Sequence, residues 1–284
     1  MNDVSESGTG DRGPPREQSS GAAHVTTSPG GSNLYFQPSA IVITLLAVVA
    51  MLAVASVVLQ FLRYEMGILV AGMRLLDLER EANVPTWVSS LNLAACALLL
   101  LFIACAASGR NDHYAAHWTG LCIVFLYLSL DEACRIHESS WRFFQRLLDT
   151  SGALYPAWVI PAMVVVTPFA LVYMRFLFSL PNKTRRLFVL AAVLYVGGAV
   201  GLEMLGWHYR YPLLLENPDD WEASKTMTSA LIAHAEEVLE MVGVIVFMYA
   251  LLEYLAWHKV RVELSFADGR SERSITGPER DASA

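Results

Sequence analysis

An all-α, polytopic bundle of transmembrane helices is the fold this sequence predicts, and three observations predict it. First, 55% of the 284 residues are apolar and only 17% are charged, below the roughly 25% charged that is usual in soluble domains. Second, residues 39–62 and 87–108 carry no charge at all, and each is long enough to cross some 30 Å of hydrocarbon. Third, the acids that do occur in apolar surroundings collect at one end of three further segments. The same numbers exclude other classes. A net charge of −7 gives no basic surface for nucleic acid, and no phosphate-cradling loop, zinc-finger spacing or nucleophile elbow is present. Cys96, Cys105, Cys122 and Cys134 lie within or at the ends of apolar segments without a C-x-x-C pair, so they read as packing residues rather than a disulfide framework.

Taken in order, residues 1–38 are rich in Gly, Ser, Pro and Thr and lack an apolar stretch, which predicts a disordered tail without a signal peptide. The first span is 39–62. The mixed-charge stretch Arg63–Glu81 is expected to lie as a helix at the membrane interface, and the second span is 87–108. The third, 118–138, is apolar from Trp118 to Leu130, about 13 residues or roughly 20 Å, before Asp131 and Glu132. The fourth, 155–180, carries Pro156, Pro161 and Pro168, which predict kinks, and Arg175 near one end where it can snorkel. The fifth, 187–208, is interrupted by Glu203. The sixth, 228–257, opens with His234, Glu236, Glu237 and Glu240 before its apolar run. Spans three, five and six cross the bilayer only if their charged ends are counted. Residues 259–284 form a second polar tail.

Lys and Arg in short loops set orientation. Arg110, then Lys183, Arg185 and Arg186, then Lys259 and Arg261 fall on one side of a six-span arrangement, which predicts both termini and both tails in the cytoplasm. The acidic loop with Glu216, Asp219, Asp220 and Glu222 then lies outside. The expected location is a plasma or inner membrane, with membrane lipids as partners. Counting 1.5 Å per residue outward places Asp131, Glu138, Glu203, Glu237 and Glu240 in one layer in the outer third of the membrane.

That layer is the candidate site. On the third span Asp131, Arg135 and Glu138 follow the i, i+4, i+7 spacing of one helix face, flanked by Glu132 and His137. On the sixth, Glu236, Glu237 and Glu240 share an arc with His234 at its edge. Gly197, Gly198 and Gly201 beside Glu203 allow a close helix approach. Seven acids face one obligate cation, Arg135, read as a structural ion pair. A carboxylate in low dielectric must be paired, protonated or metal-bound. The surplus fits a divalent metal, iron, manganese or zinc, held by Asp131, His137, Glu138, Glu203, His234, Glu237 and Glu240, with Glu236 or Glu132 as proton acceptor. The resulting expectation is a membrane oxidoreductase or hydrolase acting on a lipid-soluble or periplasmic small molecule. The competing expectation is a proton- or cation-coupled carrier using the same acids. A b-type haem between His137, His208 and His234 is disfavoured, because the acids would repel its propionates. Nothing in the sequence reports oligomeric state.

Overall fold

The computed structural model describes residues 37–68, 72–80, 82–220 and 222–258. The two tails expected at 1–38 and 259–284 lie outside these residues, apart from Gln37 and Pro38. The described residues form eight helices: α1 (Pro38–Tyr64), α2 (Val84–Gly109), α3 (Ala115–Cys134), α4 (Ile136–Leu148), α5 (Val159–Ser179), α6 (Asn182–Val196), α7 (Glu203–Glu216) and α8 (Met227–Trp257). A six-residue π turn, Gly197–Leu202, joins α6 to α7. Five stretches are long and apolar enough to cross a membrane: α1, α2, α5, the continuous α6–π–α7 unit and α8. The chain is thus a multi-pass helical membrane protein. Helix α3 is 20 residues long, but Asp131 and Glu132 in its last turn reduce its apolar character.

Local sequence accounts for the ends of the elements. Asn83 caps α2, its side chain accepting from Thr86 N at 3.1 Å, and Pro85 sits in the first turn where its missing N–H costs nothing. Thr226 and Ser229 form a capping box at the start of α8. In α5 only Pro168 lies within the helix; Pro156 precedes it and Pro161 occupies its first turn.

Two expectations are corrected. The third span does not run unbroken to residue 138, because Arg135 adopts a left-handed conformation (φ 58°, ψ 45°), ends α3 and starts α4. The common face of Asp131, Arg135 and Glu138 is lost with it. The stretch 63–81 is not an interfacial helix: beyond α1, its described residues contain only a three-residue 3-10 turn, Met73–Leu75. Asp77 draws this segment inward instead, as set out below.

Helix α8 is the centre of the bundle, packing on α1, α2, α6 and α7, while α2 pairs with α3. Half of the most apolar window of α2 and of α8 is buried, against 11% for α5, which is peripheral. Two glycines set the closest approaches. A side chain at Gly243 would come within 2.9 Å of Tyr195 N, and one at Gly198 within 2.9 Å of Glu236 O. Each lets the α6–π unit lie against the α8 backbone. Gly197 and Gly201 have nothing within 4 Å of such a side chain, so of the three expected glycines only Gly198 acts this way.

The bundle has two dissimilar ends. At one, Trp118 packs edge-on against Phe176 (4.8 Å between centroids) and at a tilt against Tyr254 (4.9 Å), and Phe247 stacks on Phe125 (4.4 Å) and lies tilted against Phe188 (4.6 Å). Trp118, Phe176, Phe188, Phe247 and Tyr254 are buried with Leu100, Ile103 and Leu251 in one continuous core. The other end holds the acids.

Candidate functional site: a carboxyl cluster beside a hydrogen-bonded polar cap

At the acidic end, side chains from α3, α4, α7 and α8 converge. The break at Arg135 is what brings His137 inward. Asp131 ends α3 by accepting Arg135 N through its carbonyl (2.7 Å), and its carboxylate then accepts His137 N (2.8 Å) and faces His137 Nδ1 (2.9 Å). Both carboxylate oxygens of Asp131 are therefore engaged by one histidine. The His137 ring lies 5.4 Å from that of Trp158, whose Nε1 donates to Glu203 Oε1 at 3.5 Å. Glu203 opens α7 directly after the π turn, and Glu236 on α8 is among its charged neighbours. One turn further along α8, Glu240 has Glu132, His137, Glu203 and Asp131 as electrostatic neighbours. Ser89 on α2 is a polar neighbour of the Glu132 carboxyl. Tyr195 on α6 has Glu240, Glu132, Asp131 and Glu237 around it. Glu132, Glu203, Glu236, Glu237 and Glu240 are all half-buried.

Four of the residues considered in the sequence stand apart. Arg135 pairs with Glu138, and both side chains are exposed at the surface (48% and 43%), so neither enters the cluster. His234 is buried, with both ring nitrogens engaged: Nδ1 faces Ala230 O at 2.6 Å and Nε2 faces Ser56 Oγ at 2.6 Å. A carbonyl can only accept, so Nδ1 carries the proton and Nε2 receives the Ser56 hydroxyl. His208, considered as a haem ligand, is exposed. Among the described residues no group of three or more His, Cys, Asp or Glu side chains is arranged to hold a metal ion.

His234 belongs instead to a second polar region that the sequence did not announce. Ser56 Oγ accepts Leu78 N (3.0 Å), and Gln60 Nε2 donates to Asp77 Oδ1 (2.6 Å). Asp77 also accepts Glu79 N (3.1 Å) and pairs with Arg80 Nε (3.3 Å). Asn83 Nδ2 donates to the carbonyls of Asp77 (2.6 Å) and Arg80 (2.7 Å). Ser56, Gln60, Asp77 and Asn83 are all 5% exposed or less. Beside them, Glu79 is bound by Lys225 (2.9 Å) and faces Arg210 (3.9 Å), which lies over the Trp207 ring. This cap ties the segment after α1 to the ends of α7 and α8.

Trp158, Ser89 and Tyr195 were also missed as members of the cluster. Trp158 stands among prolines at the start of a span, where a tryptophan ordinarily marks the interface; only its contact with Glu203 distinguishes it.

A multi-pass helical bundle with an acidic, half-buried cluster at one end is thus the class the structure defines. Residues 40–255 match the model of the family described as a domain of unknown function, DUF8692, and the chain belongs to that family. No curated protein and no solved structure matches it.

Proposed function

We propose that the chain is a membrane-embedded hydrolase whose acid–base centre is the Glu203–Glu236 pair. The observation that carries this is the convergence of two carboxyls from different helices at a site closed on its other side by a packed aromatic core. Two neighbouring carboxyls, one ionised and one protonated, divide the work of hydrolysis: the ionised member takes a proton from water as it attacks a carbonyl, and the protonated member donates to the oxygen that becomes anionic. Trp158 orients Glu203 through the hydrogen bond from its Nε1. Asp131 holds His137 in one tautomer next to this pair, as a positioning residue.

In this reading α3 counts as a sixth crossing, both termini are cytoplasmic, and the cluster opens toward the outside of a plasma or inner membrane, with α4 lying along the interface. Helix α4 suits that position. Ile136, Phe143 and Leu147 fall on one exposed face and Glu138, Arg142 and Gln145 on the opposite side.

The test is hydrolysis of a series of fluorogenic long-chain acyl esters by the protein in lipid nanodiscs. Wild-type turnover with a bell-shaped pH profile, abolished in both Glu203→Gln and Glu236→Gln, is the expected result. Turnover indifferent to both substitutions rejects the proposal. A metal-assisted variant of the same site has one observation in its favour: Glu132 and Glu240 bring two more carboxyls than an acid–base pair needs. In that case elemental analysis of protein purified in mild detergent gives stoichiometric iron, manganese or zinc that is lost in Glu240→Ala. The carrier reading is supported less, since the buried aromatic core leaves the acids no polar continuation toward the other end; proton flux into liposomes would revive it.

A further inference from the structure

Helix α4 has three faces, set by the advance of about 100° per residue along a helix. His137 and Trp141 share the first, and the bundle holds both: His137 faces the Asp131 carboxylate, and Trp141 Nε1 donates to Tyr155 O at 3.0 Å. Ile136, Phe143 and Leu147 share the second, turned from the first by about 120°, and are 39%, 64% and 66% exposed. Arg142 and Arg146 share the third, a further turn of about 100° round the helix. They lie one helical turn apart, and both are exposed. Among the described residues no ion pair holds either arginine. Glu138, the acid of the first turn, pairs with Arg135, and Asp149 closes the helix in a left-handed conformation.

These faces fix how the helix meets a bilayer. Helix α4 follows α3 at the acidic end of the bundle, beside helices long and apolar enough to cross a membrane. An exposed apolar face in that position is buried in the same hydrocarbon. With Ile136, Phe143 and Leu147 turned down and the bundle at one side, Arg142 and Arg146 point away from the protein along the membrane surface, at the level where lipid phosphates lie. Glu138 and Gln145 fall on the side turned to water. A guanidinium offers paired N–H donors that match a phosphate, and its long stem reaches that level. We infer that α4 binds anionic phospholipids, with its apolar face among the upper acyl chains and Arg142 and Arg146 on the headgroup phosphates. An anionic headgroup is preferred because a zwitterionic one carries its own cation, which competes with the arginines for the phosphate. The inference goes beyond the hydrolase reading: it shares with it the place of α4 at the interface and needs no catalysis.

The experiment uses the full chain in phosphatidylcholine nanodiscs doped with a trace of either phosphatidylglycerol or phosphatidylcholine that bears a photoreactive diazirine high in one acyl chain, with labelled positions read by mass spectrometry. Both probes should label Phe143 and Leu147 severalfold above Glu138 and Gln145. Phosphatidylglycerol should label Phe143 and Leu147 severalfold more than phosphatidylcholine does, and high salt should shrink that preference. Arg142→Gln combined with Arg146→Gln should abolish the preference while labelling by phosphatidylcholine persists, which shows the helix still in place. Arg142→Lys combined with Arg146→Lys should keep most of it, since the charge remains. Equal labelling by the two lipids in the wild type, or a preference that survives the double glutamine variant, overturns the inference. Labelling that does not distinguish Phe143 from Glu138 overturns it at the earlier step, the position of α4. A failure of the acid–base reading shows in ester turnover and leaves this labelling unchanged.

Discussion

The polar cap around Asp77 and the carboxyl cluster around Glu236 lie at the same end of the bundle and are built from similar residue types, yet their bonding differs. In the cap almost every polar atom has a fixed partner: Asp77 accepts from Gln60, Glu79 N and Arg80, and Asn83 donates to two carbonyls and accepts from Thr86. Among the described residues, Gln60 Oε1 and Glu79 Oε2 are buried exceptions. In the cluster, acids face acids: Glu236 has Glu203, Glu240 and Glu237 as its charged neighbours, and Glu203 accepts from Trp158 at 3.5 Å. A satisfied network rigidifies the structure that contains it, whereas crowded carboxyls of one sign oppose folding. The comparison teaches that the cap serves stability and that the cluster costs it, a cost that the proposed acid–base role would account for.

Substitutions break or sharpen this contrast. The largest loss of stability is expected for Asp77→Ala, which strands the Gln60 amide and two further donors; about 3 kcal/mol is the scale for several buried groups left unpaired. Thermal unfolding in detergent would show it, and a melting curve like the wild type's would remove the structural role assigned to the cap. Gly198→Ala comes next, at about 1–3 kcal/mol, because its new methyl would meet the Glu236 carbonyl. A smaller effect, about 1–2 kcal/mol, is expected for His234→Ala, which leaves the Ser56 hydroxyl without its acceptor. If His234 were instead a metal ligand, its loss would change metal content rather than melting.

Opposite behaviour is expected of the cluster. Glu236→Gln keeps the shape and removes one ionisable group, so unfolding should move by no more than about 0.5 kcal/mol, or toward greater stability. The infrared band of a protonated carboxyl should disappear with it. A band that persists unchanged would place the protonated carboxyl elsewhere. Least sensitive is Arg135→Ala, since its ion pair with Glu138 is solvent-exposed, and a shift under about 0.5 kcal/mol is expected.

How far the sequence foretold this arrangement depended on the kind of signal. Charge-free runs of 20 or so apolar residues mark α1 and α2 directly, because length and apolarity are what crossing hydrocarbon demands. Glu203 and Glu236 are anomalous in apolar helices, and that anomaly needs no knowledge of the fold. Arg135 was misplaced because i, i+4, i+7 spacing assumes an unbroken helix, and nothing in Cys134-Arg135-Ile136 announces a left-handed residue. His234 was grouped with the glutamates because it shares their arc. Its actual partner, Ser56, is 178 positions away in the chain, a distance over which local pattern is silent. Asp77 and Asn83 were passed over because they sit in a mixed-charge loop, where burial is decided by tertiary contacts alone.

The packed aromatic end described for Trp118, Phe176 and Tyr254 has one further consequence. On the hydrolase reading, a centre closed at its base by that core has a single doorway, so the products of hydrolysis leave by the route the substrate entered. Product lingering there competes with fresh substrate, and turnover of a fluorogenic ester in nanodiscs should slow as product accumulates.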